Sequence, residues 1–290
     1  MPVPSAVTIP SASREQARLR RTLRRLLRVD PKRAGRIAAD LFYTVNRYPV
    51  SPKEQAVVDA APVHTMLTTT RGKAFVLHEW PADGKRVLLT HGWEQTAGRF
   101  VALIQALQKA GYSVAAIDAP AHGASPGQYA AMVDFMESIQ AAVRHLGEVE
   151  ALVGHSLGGA ATMFALACLP GVTARRAVTV GAFDRVQVIF DAWIQGMGLP
   201  DDILLPMVRH YEKTYGVWSL DYTAERFAPT LKVPALIIHD RDDEVIPFAC
   251  GENLAALWPG ARFMATERLR HYLTLRNAEV IKAIVAFVGA

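Results

Sequence analysis

Cysteine is nearly absent from this chain of 290 residues: Cys168 and Cys250 are the two, both in apolar stretches. Neither has a partner at metal-ligand spacing, so a disulfide framework is not expected, and a reducing, cytoplasmic compartment is the simpler reading. No apolar run approaches the ~18 residues of a membrane-spanning helix. The first residues also lack the short apolar block of a secretory leader. No internal repeat occurs. The nine histidines contain no His-x-x-x-His pair, so no metal is expected.

The excess of positive charge is concentrated in one place. Residues 14–36 hold ten of the 32 Lys and Arg against Glu15 and Asp30, a charge of +8, while the whole chain carries +5. The remainder is therefore slightly acidic, which argues against a nucleic-acid partner. What is present in bulk, 51% apolar and 20% charged residues, describes a globular protein able to bury one large core.

Along the chain, residues 1–13 are Pro- and Ser-rich and expected to be irregular. Leu19, Leu23, Leu26 and Leu27 recur at helical spacing with arginines between them, an amphipathic helix with a cationic face. Asp30-Pro31 predicts an N-cap and first-turn proline for a second helix reaching about Arg47. Ser51-Pro52-Lys53-Glu54 predicts a third, with a capping box. Residues 1–60 thus form a helical extension, ahead of a main domain over 61–290.

That domain alternates strands and helices. An antiparallel pair is expected around 63–70 and 73–80. Buried strands are expected at 85–90, 112–118, 149–154, 174–183, 234–240 and 261–267, with helices between them. The pattern is that of an α/β fold with a mostly parallel sheet covered on both faces. Residues 184–226 break it. They carry Phe190, Trp193, Met197, Met207, Tyr211, Tyr215 and Trp218 but no strand pattern, and they predict a small helical insertion, read as a cap over the carboxyl edge of the sheet.

Gly154-His155-Ser156-Leu157-Gly158-Gly159 lies where a strand meets a helix. Glycines on both sides of a serine allow a turn too tight for side chains, which would project the Ser156 hydroxyl at a helix N-terminus. A serine nucleophile needs a base, and the base needs an orienting acid. Downstream, an acidic cluster ends the strand at 234–240, and His271 follows the last strand, giving the order Ser, Asp, His.

With these elements the sequence resembles the α/β-hydrolase superfamily over roughly residues 63–290. The resemblance rests on His91-Gly92-Trp93, Asp118 to Ser125, Gly154 to Gly159, Asp240 to Pro247, and His271 with its trailing leucines. The family's acid loop reads Gly-x-x-Asp-x-x-x-Pro. Aligned on Pro247 this implies Asp243 as the acid; a one-residue shift would give Asp242. Asp240 stands where glycine is usual and is expected to cap the strand. Arg270 replaces the glycine that usually precedes the histidine. By the same resemblance the oxyanion donors are the amides of Leu157 and Trp93, and His91 fixes its loop. His155 is expected to pack, His122 to be structural and Glu94 to be solvated. His64, His78, His145, His210 and His239 have no assigned role, and Asp118 is not needed as the acid.

The resemblance implies a cofactor-independent serine hydrolase acting on a small-molecule carboxylic ester, with thioesters and amides less favoured. Ser156, Asp243 and His271 would be its catalytic triad. The alternative is a non-hydrolytic ligand-binding or acyl-transfer member of the same fold. For the basic N-terminal helix, packing on the body is preferred to docking on an anionic membrane surface. No motif specifies the residues that bind the acyl chain, or an oligomeric state.

Overall fold

The computed structural model describes residues 14–290; the segment 1–13, expected to be irregular, lies outside the described residues. Eight strands form one sheet in the order β1-β2-β4-β3-β5-β6-β7-β8. They are β1 (Val63–Thr68), β2 (Ala74–Trp80), β3 (Arg86–Thr90), β4 (Ser113–Asp118), β5 (Ala151–His155), β6 (Arg176–Val180), β7 (Ala235–Asp240) and β8 (Arg262–Thr266). β2 runs antiparallel to β1 and β4, and β3 to β8 run parallel to one another. This is the mostly parallel α/β sheet that the alternation of strands and helices predicts, in the arrangement that the resemblance to the α/β-hydrolase superfamily implies.

The helices are α1 (Arg14–Val29), α2 (Pro31–Tyr43), α3 (Pro52–Asp59), α4 (Val101–Lys109), α5 (Met132–Leu146), α6 (Leu157–Cys168), α7 (Gln187–Gly196), α8 (Leu204–Tyr215), α9 (Ala224–Phe227), α10 (Phe248–Leu257), α11 (Arg270–Leu273) and α12 (Ala278–Gly289). None is long and apolar enough to cross a membrane. Their starts follow local chemistry. Asp30 accepts from the Arg33 amide ahead of α2, Ser51 from Glu54 ahead of α3, and Asn277 from Glu279 and Val280 ahead of α12. The second helix ends at Tyr43, four residues short of the expected Arg47. Beyond it the chain is taken up by other bonds: the Val45 amide donates to Gln128 O, and the Arg47 guanidinium to the carbonyls of Gly123, Ser125 and Gly127.

The residues cluster into two compact units. One comprises Val45–Asp184 and Phe227–Ala290 and contains the sheet. All five residues of β5 are buried, as a strand covered on both faces requires. Leu89, Val153, Val178 and Ile238 of adjacent strands share a core with Phe100, Ile104 and Ile284. Each such side chain contributes about 1.5–3 kcal/mol by leaving water. The other unit comprises residues up to Thr44 with Arg185–Arg226. In it α2 packs against α1 and α8, Leu23 of α1 is fully buried, and Phe42 stacks on Phe190 at 4.7 Å. The residues 184–226 fold mainly as helices, as their lack of strand pattern predicts.

Candidate active site

Ser156 links β5 to α6 at φ 53°, ψ −120°, a region that L-residues with a Cβ rarely occupy. Its amide donates to Val180 O at 2.8 Å, pinning the turn to β6. A Cβ on Gly158 would lie 2.2 Å from Thr90 O, so only glycine lets the start of α6 close on the end of β3. The sharp turn needs the glycine two residues after the serine for this reason. Leu157 is the first residue of α6, where backbone N–H groups have no intrahelical partner.

His271 is the second residue of α11, the short helix that follows β8. Its Nδ1–H donates to Asp243 Oδ2 at 2.7 Å, and Asp243 Oδ1 accepts the amides of Val245 and Ile246, both at 2.8 Å. With Nδ1 carrying a proton, Nε2 presents its lone pair, and this buried atom has no partner among the described residues. A Cβ on Gly181 would lie 3.3 Å from both Asp243 Oδ2 and His271 Nδ1. The Val180–Gly181 peptide thus bonds the Ser156 amide on one side and abuts the His271–Asp243 pair on the other. Asp242, the shifted alternative, instead accepts the Arg268 amide at 2.7 Å. His239, given no role by the sequence, donates from Nε2 to Ile246 O at 3.0 Å, and that nitrogen lies 3.5 Å from Asp243 Oδ2.

The loop after β3 passes against the serine: a Cβ on Gly92 would lie 2.9 Å from that of Ser156. Trp93 follows, half-buried, its ring edge-on to His122 at 5.2 Å. His91 fixes this loop, donating from Nδ1 to Gly92 O at 2.6 Å and accepting the Ala119 amide at Nε2. Asp118, at the end of β4, accepts the amides of Ala97 and Ala124 and faces His78 Nε2 at 3.0 Å. One carboxylate therefore ties two loops beside the serine.

Two expectations need correction. Glu94 is not solvated. It is half-buried at φ 56° and accepts from the backbone and side-chain amides of Asn46 at 3.0 and 2.8 Å. Burial pushes its carboxyl above the usual range in spite of these bonds. His155 does more than pack. It is fully buried, its Nε2–H donates to His271 O at 3.0 Å, and Nδ1 lies 3.1 Å from Gln95 Oε1, which also accepts the Gly92 amide at 3.3 Å. Burial holds its pKa well below the ordinary histidine range. His155 thus connects the loop after β3 to the backbone of His271. A sequence signal existed, since a polar ring beside the turn serine is a costly choice for mere packing.

A cavity of about 210 Å³ adjoins the same loop, lined among others by Asn46, Arg47, Tyr48, Glu94, Thr96 and His122. Ser156 and His271 do not line it.

Residues 87–283 match the family model described as Alpha/beta hydrolase family. The bifunctional esterase/perhydrolase DCH of Acinetobacter calcoaceticus is 24% identical over 279 residues, covering 77% of this chain and 98% of its own length. The monoacylglycerol lipase of Mycolicibacterium smegmatis is 26% identical over 200 residues, 56% of this chain and 71% of its own. Among solved structures, the Pyrococcus furiosus esterase Pf2001 superposes with a TM-score of 0.65 at 17% identity, covering 85% of this chain and 98% of that one. The match over most of the chain, on the fold and turn described above, makes this protein a member of the alpha/beta hydrolase family.

Proposed function

We propose that the protein is a serine hydrolase that cleaves a carboxylic ester of a small molecule through an acyl-enzyme. The observation that carries this reading is the state of His271. Asp243 holds its Nδ1 proton, which leaves Nε2 as a buried, unpartnered lone pair, the form a general base requires. In this reading His271 Nε2 takes the proton of Ser156 Oγ as the oxygen attacks the ester carbonyl. The amides of Leu157 and Trp93 hold the oxyanion. His271 then protonates the departing alcohol, and water releases the acid by the same steps in reverse order. Asp243 keeps the imidazole in the correct tautomer and stabilises its charged form. No step needs a cofactor. The names of the two curated relatives, an esterase and a monoacylglycerol lipase, support ester chemistry over an amide or thioester.

The test is hydrolysis of p-nitrophenyl esters of increasing acyl length by wild type, Ser156→Ala and Asp243→Asn. Wild type should turn over at least one chain length. Ser156→Ala should lose about 10³-fold or more in kcat, and Asp243→Asn about 10⁴-fold. Hydrolysis by Ser156→Ala at the wild-type rate would overturn the reading.

A further inference from the structure

The chain departs from the family's pattern at two places, Asp240 for one glycine and Arg270 for another, and the structure brings the two together. Arg268 and Arg270 both have left-handed backbone, at φ 61° and 55°, although both side chains are exposed and need no such conformation for packing. Residues with a Cβ leave that region readily unless something holds them. The Arg270 amide donates to Asp240 Oδ1 at 2.9 Å and the Leu269 amide to Oδ2 at 3.1 Å. The remaining sites on this carboxylate are filled by the Asp242 amide at 3.0 Å and the Thr266 hydroxyl at 2.7 Å. Asp240 is 1% exposed. A carboxylate so buried is retained only where donors surround it, and here four do.

We infer that Asp240 is a positioning residue for His271: its carboxylate grips the amides just before the histidine and holds the loop in the left-handed turn that arginine alone would leave. Asp242 assists by accepting the Arg268 amide. The three aspartates of the cluster divide the work. Asp240 and Asp242 set the backbone, and Asp243 takes the ring. The inference rests on the reading of His271 as the general base. It also explains the paired departures, because glycine before the histidine would adopt the turn unaided.

The experiment compares wild type, Asp240→Gly, Asp240→Asn, Arg270→Gly and the double variant Asp240→Gly/Arg270→Gly. Readouts are p-nitrophenyl acetate kinetics and the labelling rate with a fluorophosphonate, with folding checked by circular dichroism. Asp240→Gly should lower kcat about 10- to 100-fold with KM within twofold, the scale expected when a catalytic group is displaced by about 1 Å. Asp240→Asn, equal in shape but presenting an NH2 to an incoming N–H, should also lose most activity. In the Arg270→Gly background, Asp240→Gly should cost less than threefold. Equal losses in both backgrounds, or an Asp240→Gly variant within twofold of wild type, would overturn the inference. If Asp240→Gly fails to fold, a folded and active double variant supports it; a double variant that also fails to fold overturns it, since the carboxylate would then hold the body together and not one loop. A wild type inert to both probes would bring down the serine-hydrolase reading and this inference with it. A reactive wild type with an indifferent Asp240 would bring down only the second.

Discussion

His122 is 1% exposed, gives its Nδ1 proton to Pro120 O at 2.9 Å, and leaves Nε2 buried without a partner among the described residues. Burial first, and the neighbouring His91 second, push its pKa down from 6.5 to about 3. Between those values the unfolded chain binds a proton that the folded chain refuses, so stability falls as pH drops. At pH 5 this one residue should cost about 2 kcal/mol. His91 and His155, also lowered chiefly by burial, act in the same direction. Urea unfolding at pH 7.5 and pH 5 should show a lower midpoint at pH 5, and His122→Asn should reduce the difference. A midpoint independent of pH over this interval would mean that these rings accept protons while folded. The residue scale also shows where a sequence is mute. Glu94 reads as a solvated acid because its donors come from Asn46, 48 positions earlier, and no local pattern announces a partner at that distance.

At the scale of elements, the turn between β5 and α6 is the most legible part of the molecule. Its constraint falls on a few consecutive residues. Ser156 must take a left-handed conformation, and the residues around it must lack bulk, so the sequence advertises both. Gly158→Ala should test this, because its Cβ would meet the backbone oxygen of Thr90 at 2.2 Å and backbone cannot turn aside. The expected loss is about 2–3 kcal/mol, read as a fall in Tm of at least about 5 °C. An unchanged Tm would show that α6 can pull away from β3, and the turn would not be as tight as described. The strands are legible for a similar reason, since buried parallel strands are short apolar runs bounded by turns. Helix ends are legible only where capping is local. Asp30 and Ser51 cap as their places before Pro31 and Pro52 predict, whereas the early end of α2 answers to Gln128 and Gly123, far along the chain.

For the molecule as a whole, fold and chemistry separate. The order of strands, helices and motif residues carries the α/β-hydrolase fold, and the family model matches 68% of the chain's length, residues 87–283. The choice within the acidic cluster is different. Spacing leaves Asp242 and Asp243 both open, and only the paths of β7 and β8 set Asp243 against His271. The clustering of residues up to Thr44 with Arg185–Arg226 is likewise a property of aromatic faces such as Phe42 and Phe190, which nothing in either segment alone foretells. The relatives named above do not divide the chain equally either: the Acinetobacter protein is covered over 98% of its length by 77% of this chain. The substrate, too, is a property of the assembled surface and not of any motif.

The central claim is that Ser156 is an activated nucleophile, and intact-mass measurement after treatment with a fluorophosphonate tests it most directly. Wild type should gain the mass of one phosphonyl adduct, and Ser156→Ala, folded, should gain none. A folded wild type that stays unmodified, or a Ser156→Ala variant that is modified equally, would contradict it.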